Sequence, residues 1–265
     1  MRGIGQRERS DRVLLEGRGV VVRTSSDIAA ALDDPHRKQS AVDWIFGTVA
    51  QRYDFGNDLM SLGWHKRWKK RLVASVELAP GVRVLDLATG TGDVAWLIGA
   101  RMTEGSVVGV DIHPDMLALA ESKRTSIPIE VGFQVGDAGD LPFADASFDV
   151  VTCSYAGRGF PSWPRVVSEI HRVLAPGGTF YNLDFARPRP HAWDVMVRGW
   201  MFVSGALLGL LLHGHASAYT YIPQTLSRYP GQRWLAGVLE AQGFVQVQVE
   251  ETIGVLMAFH RAKKQ

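Results

Sequence analysis

VRVLDLATGTGD, residues 82–93, reads as a buried strand, a glycine turn and the start of a helix. Val82, Val84, Leu85 and Leu87 are apolar and mostly β-prone, in a run too short for most helices. Gly90 and Gly92 then interrupt it; glycine alone takes positive φ and lets a ligand approach the backbone without steric cost. From Asp93 the pattern turns helical, with Val94, Leu97 and Ile98 on one side. Open parallel sheets bind ligands at such strand-to-helix turns. The expected fold is therefore α/β, a mostly parallel sheet flanked by helices.

GTGDVA fits the G-x-G-x-x-A dinucleotide fingerprint, but that match alone is weak. A pyrophosphate would sit on the helix N-terminus, where Asp93 occupies the first turn and Asp86 lies just before it. Two carboxylates would repel a dianionic bridge and suit a ligand with ammonium and sulfonium charges, such as S-adenosylmethionine. The plainer reading is that Asp93 complements the helix dipole.

Strand–helix units continue after this turn. A strand over residues 107–111 ends in Asp111, about 20 residues past the glycines, where an acid accepts hydrogen bonds from ribose hydroxyls. Asp111 is also a candidate N-cap for the helix opening at Pro114, and both roles are compatible. Ile112 follows at the same edge. A third strand over residues 130–136 leads into Asp137 and Ala138; the acid suits an exocyclic amine such as adenine N6, or serves as a turn residue. A fourth apolar strand over residues 148–153 ends near Ser154 and Tyr155. A helix over residues 163–174, a turn at Gly177 and Gly178, and a strand over residues 179–185 follow.

The flanks differ in character. Residues 1–40 form an Arg-rich appendage that also carries Glu8, Asp11 and Glu16, with no signal-peptide core. Short elements are expected over residues 20–22 and 26–34, and a helical pattern begins at Ala41, opening a domain that runs over residues 41–265. Trp64, Trp68 and Leu72 fall on one side of a helix whose other positions are largely Lys and Arg. Such a helix either lies on an anionic membrane or packs its tryptophans on the core. Residues 186–230 form a helical cap segment. Its run MFVSGALLGLLL, residues 201–212, is too short to span a bilayer; it is a buried helix, a lid over a greasy substrate, or a membrane-facing patch. A helix over residues 231–241 and a hairpin of strands over residues 244–252 and 256–261 close the chain at one sheet edge.

The bulk numbers fit one large domain of 265 residues with ample core. A net charge of +2 implies no nucleic-acid partner. The single cysteine excludes an intrachain disulfide and fits a reducing, cytoplasmic setting. No stretch reaches about 18 apolar residues, so no membrane-spanning helix is expected. No metal site is evident, since His213 and His215 would leave different faces of a helix.

These residues resemble the ubiquinone/menaquinone biosynthesis C-methyltransferases, class I S-adenosylmethionine-dependent enzymes. RYDFGNDLMSLGWHKRWKK, LDLATGTGDVA, VGVDIHPDML, GDAGDLPFADASFD, HRVLAPGG and the terminal GVLMAFHR carry the resemblance over about residues 49–261. It implies a Rossmann-like seven-stranded, mostly parallel sheet flanked by helices, S-adenosylmethionine as donor, and a prenylated hydroquinol methylated on a ring carbon. The implied cofactor contacts are Thr91, Asp111, Asp137, Ala138 and Ser154; Tyr53, Asp86, Gly90 and Ile112 are further candidates for the same site. The family's SFGLRN segment stands here as Ser154-Tyr-Ala-Gly-Arg-Gly159: Arg158 keeps the arginine suggested to act in catalysis, and Gly159 replaces the asparagine. Tyr155 and Tyr219 are candidate acceptor contacts. His215, with His213 and Asp184, is a candidate base acting through water held by Arg158, whose guanidinium is too basic to give up its proton and serve as base itself. A possible peripheral membrane contact and a possible homodimer complete the expectations. The alternatives are O- or N-methylation of a small phenol, and a non-catalytic binding partner of the cofactor or a quinone.

Overall fold

The computed structural model describes residues 58, 61, 63–187, 191–213, 217–252 and 256–265, with the side chains of 191–192, 212–219 and 221 left aside. The expected elements before Asp58 lie outside the described residues, as do Tyr53 and His215.

The described chain forms α1 (Trp64–Ser75), β1 (Arg83–Leu87), α2 (Asp93–Gly99), β2 (Ser106–Asp111), α3 (Pro114–Ser122), β3 (Glu130–Val135), β4 (Phe148–Ser154), α4 (Trp163–Val173) and β5 (Leu174–Phe185). Two cap helices follow, α5 (His191–His213) and α6 (Ser217–Arg228), then α7 (Gln232–Ala241), β6 (Phe244–Glu251) and β7 (Met257–Lys264). One seven-stranded sheet runs in the order β3-β2-β1-β4-β5-β7-β6. Strands β1 to β5 pair in parallel, while β7 enters antiparallel beside β5 and pairs β6 as the expected hairpin.

Strand periodicity explains the two cores. Leu85 and Leu87 point to one face, where Val166, Val167 and Ile170 of α4 and Leu235 and Leu239 of α7 cover them. Val84 points to the other, against Leu72 and Val73 of α1 and Val94 and Ile98 of α2. Asp86 shares that second face. The β1–β4 register sets it directly opposite Thr152, whose Oγ1 donates to Asp86 Oδ1 at 2.7 Å; Thr89 Oγ1 donates to Oδ2 at 2.6 Å.

Two features depart from the sequence reading and a third breaks a local rule. β5 begins at Leu174, because Gly177 and Gly178 fall in an irregularity of the ladder between Phe148 and Val150 rather than in a separate turn. Helix α6 forms through Pro223, although proline removes a helical hydrogen bond. Helix α5 extends well beyond the MFVSGALLGLLL run. Its segment Trp193–Leu211 reaches 19 residues and is long and apolar enough, by length and composition, to cross a membrane; only 22% of it is buried. The run read as short because Asp194 and Arg198 interrupt it, but the two pair at 2.9 Å. Nor is the helix simply buried: Gly205, Leu208 and Gly209 face inward, while Trp200, Val203, Leu207 and Leu211 are 73%, 65%, 59% and 72% exposed.

The cap is bracketed by one polar clamp. Gln232, just after it, accepts the Arg187 N–H through Oε1 at 2.9 Å and donates through Nε2 to Glu251 Oε1 at 2.7 Å. His260 Nε2 donates to the Gln232 carbonyl at 2.9 Å, and His260 Nδ1 accepts from Asn182, its register partner on β5, at 3.2 Å. Burial lowers the His260 pKa and keeps the ring neutral, as this donor–acceptor assignment requires.

Candidate functional site

A cleft of about 190 Å³ opens at the carboxyl ends of β1, β2 and β4. Its floor is the glycine turn, with Ala88 and Gly90 lining it. Gly92 has φ +77°, and a Cβ there would come within 2.8 Å of Ala120 Cβ and 2.9 Å of Phe133 Cζ, so only glycine lets the turn pack on α3 and β3.

Asp111 lines the cleft and stands beside that turn: its Oδ2 accepts the Gly90 N–H at 2.8 Å, and its Oδ1 accepts the His113 N–H at 3.0 Å. The N-cap of α3 is His113, so Asp111 braces the glycine turn instead of capping the helix. Asp137 also lines the cleft and closes a turn, its Oδ1 accepting the Gly139 N–H at 2.8 Å. Ile112, Ala138, Ser154 and Tyr155 complete the expected residues on this wall. Tyr155 adopts φ +61°, an uncommon conformation for a non-glycine residue, as the chain leaves β4.

The remaining expected residues stand elsewhere. Asp86 is fully buried under the turn; burial raises its pKa to about 6 against the lowering effect of Thr89 and Thr152. Thr91 is buried and accepts from Lys123 Nζ at 2.8 Å. Neither side chain is among those lining the cleft. Tyr219 falls on α6 with its side chain outside the described residues.

Asp93 differs most from the electrostatic picture drawn from sequence. Lys69 Nζ and Lys123 Nζ each donate to it at 2.8 Å. Burial alone would raise its pKa, but the two ammonium groups overcome this and hold it at about 2. The first turn of α2 therefore presents two cations around one carboxylate, not a bare negative charge. Lys69 was legible only as part of a basic helix, and nothing near Lys123 announced it. The negative groups that do line the cleft are Asp111 and Asp137; Arg165, also on the lining, donates to the Gly139 carbonyl at 2.7 Å.

Arg158 is 8% exposed; its Nη1 donates to the Tyr155 carbonyl at 2.6 Å and lies 3.6 Å from Asp184 Oδ1, and its guanidinium stands 5.0 Å from the Phe185 ring centroid. Asp184 is buried, which raises its pKa, with Arg158 pulling the other way. Of the three candidate bases read from sequence, Asp184 is the one the described structure sets beside Arg158.

A glycine turn open to close approach, one acid at the end of β2, a second after β3, and apolar walls from Leu87, Val110, Ile112 and Met116 fit an adenosyl group with its ribose and amine. The fold and the cleft define a class I S-adenosylmethionine-dependent methyltransferase. More narrowly, the chain belongs to the ubiE/COQ5 methyltransferase family, whose model matches residues 34–264. It is 39% identical over 201 residues to the demethylmenaquinone methyltransferase of Thermus thermophilus, spanning 76% of this chain and 91% of that protein. It is 34% identical over 236 residues to the ubiquinone/menaquinone biosynthesis C-methyltransferase of Brucella anthropi, spanning 87% and 90%. Among solved structures, an S-adenosylmethionine-dependent methyltransferase from Mesorhizobium loti superposes with a TM-score of 0.53 at 17% identity, covering 73% of this chain and 96% of that one. At that identity it bears on the fold alone.

Proposed function

We propose that this methyltransferase methylates a ring carbon of a prenylated hydroquinol. The observation that carries the reading is Arg158, buried, donating to the carbonyl of the donor-cleft residue Tyr155 and paired with Asp184, in a chain whose relatives are named for quinone biosynthesis. Bound S-adenosylmethionine would supply an electrophilic sulfonium methyl. The chain's task is to hold the ring carbon in line and to favour the phenolate that makes that carbon nucleophilic. Asp111, Asp137, Ala138, Ile112 and Ser154 would hold the donor. Arg158 stabilises the phenolate oxygen and holds a water that passes the phenol proton to Asp184; the ring carbon gives up its own proton to solvent once the methyl has moved, and Tyr155 stands on the donor-cleft side. Asp86 and Thr91 act from beneath, by bracing the glycine turn.

Incubation with methyl-labelled S-adenosylmethionine and demethylmenaquinol in detergent should give a carbon-methylated product by mass spectrometry and NMR. No labelled quinol, with turnover of an unrelated phenol, refutes the reading. Arg158→Lys should lower kcat by roughly a hundredfold, the scale of losing one well-placed stabilising donor, while donor affinity by calorimetry stays the same.

We also infer peripheral attachment to the cytoplasmic face of a membrane. The exposed stripe of α5 and the exposed Trp64, Lys66, Arg67 and Lys70 of α1 support it, being apolar and cationic respectively. A homodimer joined through the α5 stripe is the competing occupant, and light scattering in the absence of lipid distinguishes the two.

A further inference from the structure

Beside the donor cleft lies a second cavity, also of about 190 Å³. Phe160 and Pro161 line both, so the two cavities adjoin at this short segment. Arg158 lines the second cavity, together with Trp163, Tyr229 and Trp234. Trp163 leans on bare backbone: a Cβ at Gly157 would sit 2.0 Å from its Cζ2.

Trp163 and Tyr229 are each 4% exposed. Yet the Trp163 Nε1 and the Tyr229 hydroxyl are buried without a hydrogen-bond partner among the described residues. Leaving a buried donor unmatched costs its desolvation without return, and buried tyrosine and tryptophan usually find a partner for these atoms. The two donors belong to residues that line one cavity, and an oxygen-bearing guest there would give them acceptors. The aromatic lining calls for a flat, apolar body between them, and Arg158 for partial negative charge. An isoprenoid tail would satisfy the walls but leave both donors idle. An oxygenated ring satisfies all three.

We propose that this second cavity receives the oxygen-bearing ring of the acceptor, with Trp163 Nε1–H and Tyr229 O–H donating to ring oxygens next to Arg158. The assignment rests on the hydroquinol reading above and adds to it the residues that select the ring. Burial, reinforced by the nearby Asp184, raises the Tyr229 pKa above its ordinary value, so the hydroxyl remains a donor across the working pH range.

Tyr229→Phe removes the hydroxyl and keeps the ring. The KM for demethylmenaquinol should rise three- to tenfold, the worth of one neutral hydrogen bond, with donor affinity unchanged and Tm not lowered. An unchanged KM with a raised Tm overturns the proposal, since the hydroxyl would then be an idle buried group. A second measurement separates the cavity from the reaction: 2-methyl-1,4-naphthoquinone, already methylated, should quench tryptophan fluorescence saturably, and Tyr229→Phe should weaken its binding three- to tenfold. If this weakening is seen but no quinol is methylated, the cavity assignment stands and the reaction assignment falls. If quinols are methylated and both variants bind the probe equally, the reverse holds.

Discussion

Replacing Asp93 by Asn tests the charge arrangement at the head of α2. The carboxylate sits between Lys69, 12% exposed, and Lys123, 32% exposed, and is itself 26% exposed, so solvent screens the group only in part. Its pKa falls from the usual 3.8 to about 2. At about 1.36 kcal/mol for each tenfold change in proton affinity, the charged form contributes about 2 kcal/mol to folding. A depressed carboxylate gives stability that is present above its unfolded value of 3.8 and lost as pH falls through about 2. Roughly half is gone at pH 3. Asp93→Asn should therefore unfold about 2 kcal/mol more easily than the parent in urea at pH 7, or about 4–8 °C lower on heating. The gap should narrow steadily between pH 4 and pH 3. A cycle with Lys69→Met should show a coupling of at least about 1 kcal/mol. Equal stability at pH 7, or strictly additive costs for Asp93→Asn and Lys69→Met, would refute the reasoning.

Three further outcomes follow from the same coordinates. Asp86 has the opposite sign: its folded pKa is raised to about 6, so its contribution is fully present below 3.8 and lost as pH rises through 6; thermal melts at pH 5 and pH 8 should show a smaller difference in Asp86→Asn than in the parent. Gly92→Ala combines φ +77° with overlaps on Ala120 and Phe133, and should cost about 2 kcal/mol or more in urea unfolding while weakening S-adenosylmethionine binding by calorimetry. Trp200→Glu with Leu207→Glu alters only the outward stripe of α5; it should leave Tm nearly unchanged and abolish co-flotation with anionic vesicles.

Much of the sheet was legible because its strands are short, mostly apolar runs, and because the central strands β1, β4 and β5 are buried on both faces. The wall of the donor cleft was legible for the same reason: Gly90, Asp111, Asp137 and Ser154 sit at strand ends, where spacing along the chain translates directly into position. What spacing does not encode is partnership between distant elements. The Lys69–Asp93–Lys123 group joins α1, α2 and the end of α3, and a local reading saw only its carboxylate. The pairing of Asp86 with Thr152 depends on strand register, which hydrophobic patterning fixes only after the sheet order is known. The outward stripe of α5 was hidden because apolar periodicity is the same whether the helix turns its apolar side to a core or to solvent. The second cavity escaped because its aromatic residues come from segments about seventy residues apart, each of which reads as ordinary core.

The Gln232 clamp has an evolutionary corollary. Because Arg187 and Gln232 meet at one point, the chain leaves and rejoins the sheet through a single gate, and none of the described residues between them joins the strand ladder. Such an arrangement lets the intervening helices lengthen, shorten or be exchanged for those of a cousin while the nucleotide half stays in register. Acceptor preference can then diversify by grafting at that gate, and a chimera spliced at Arg187 and Gly231 is the natural laboratory version of the same event.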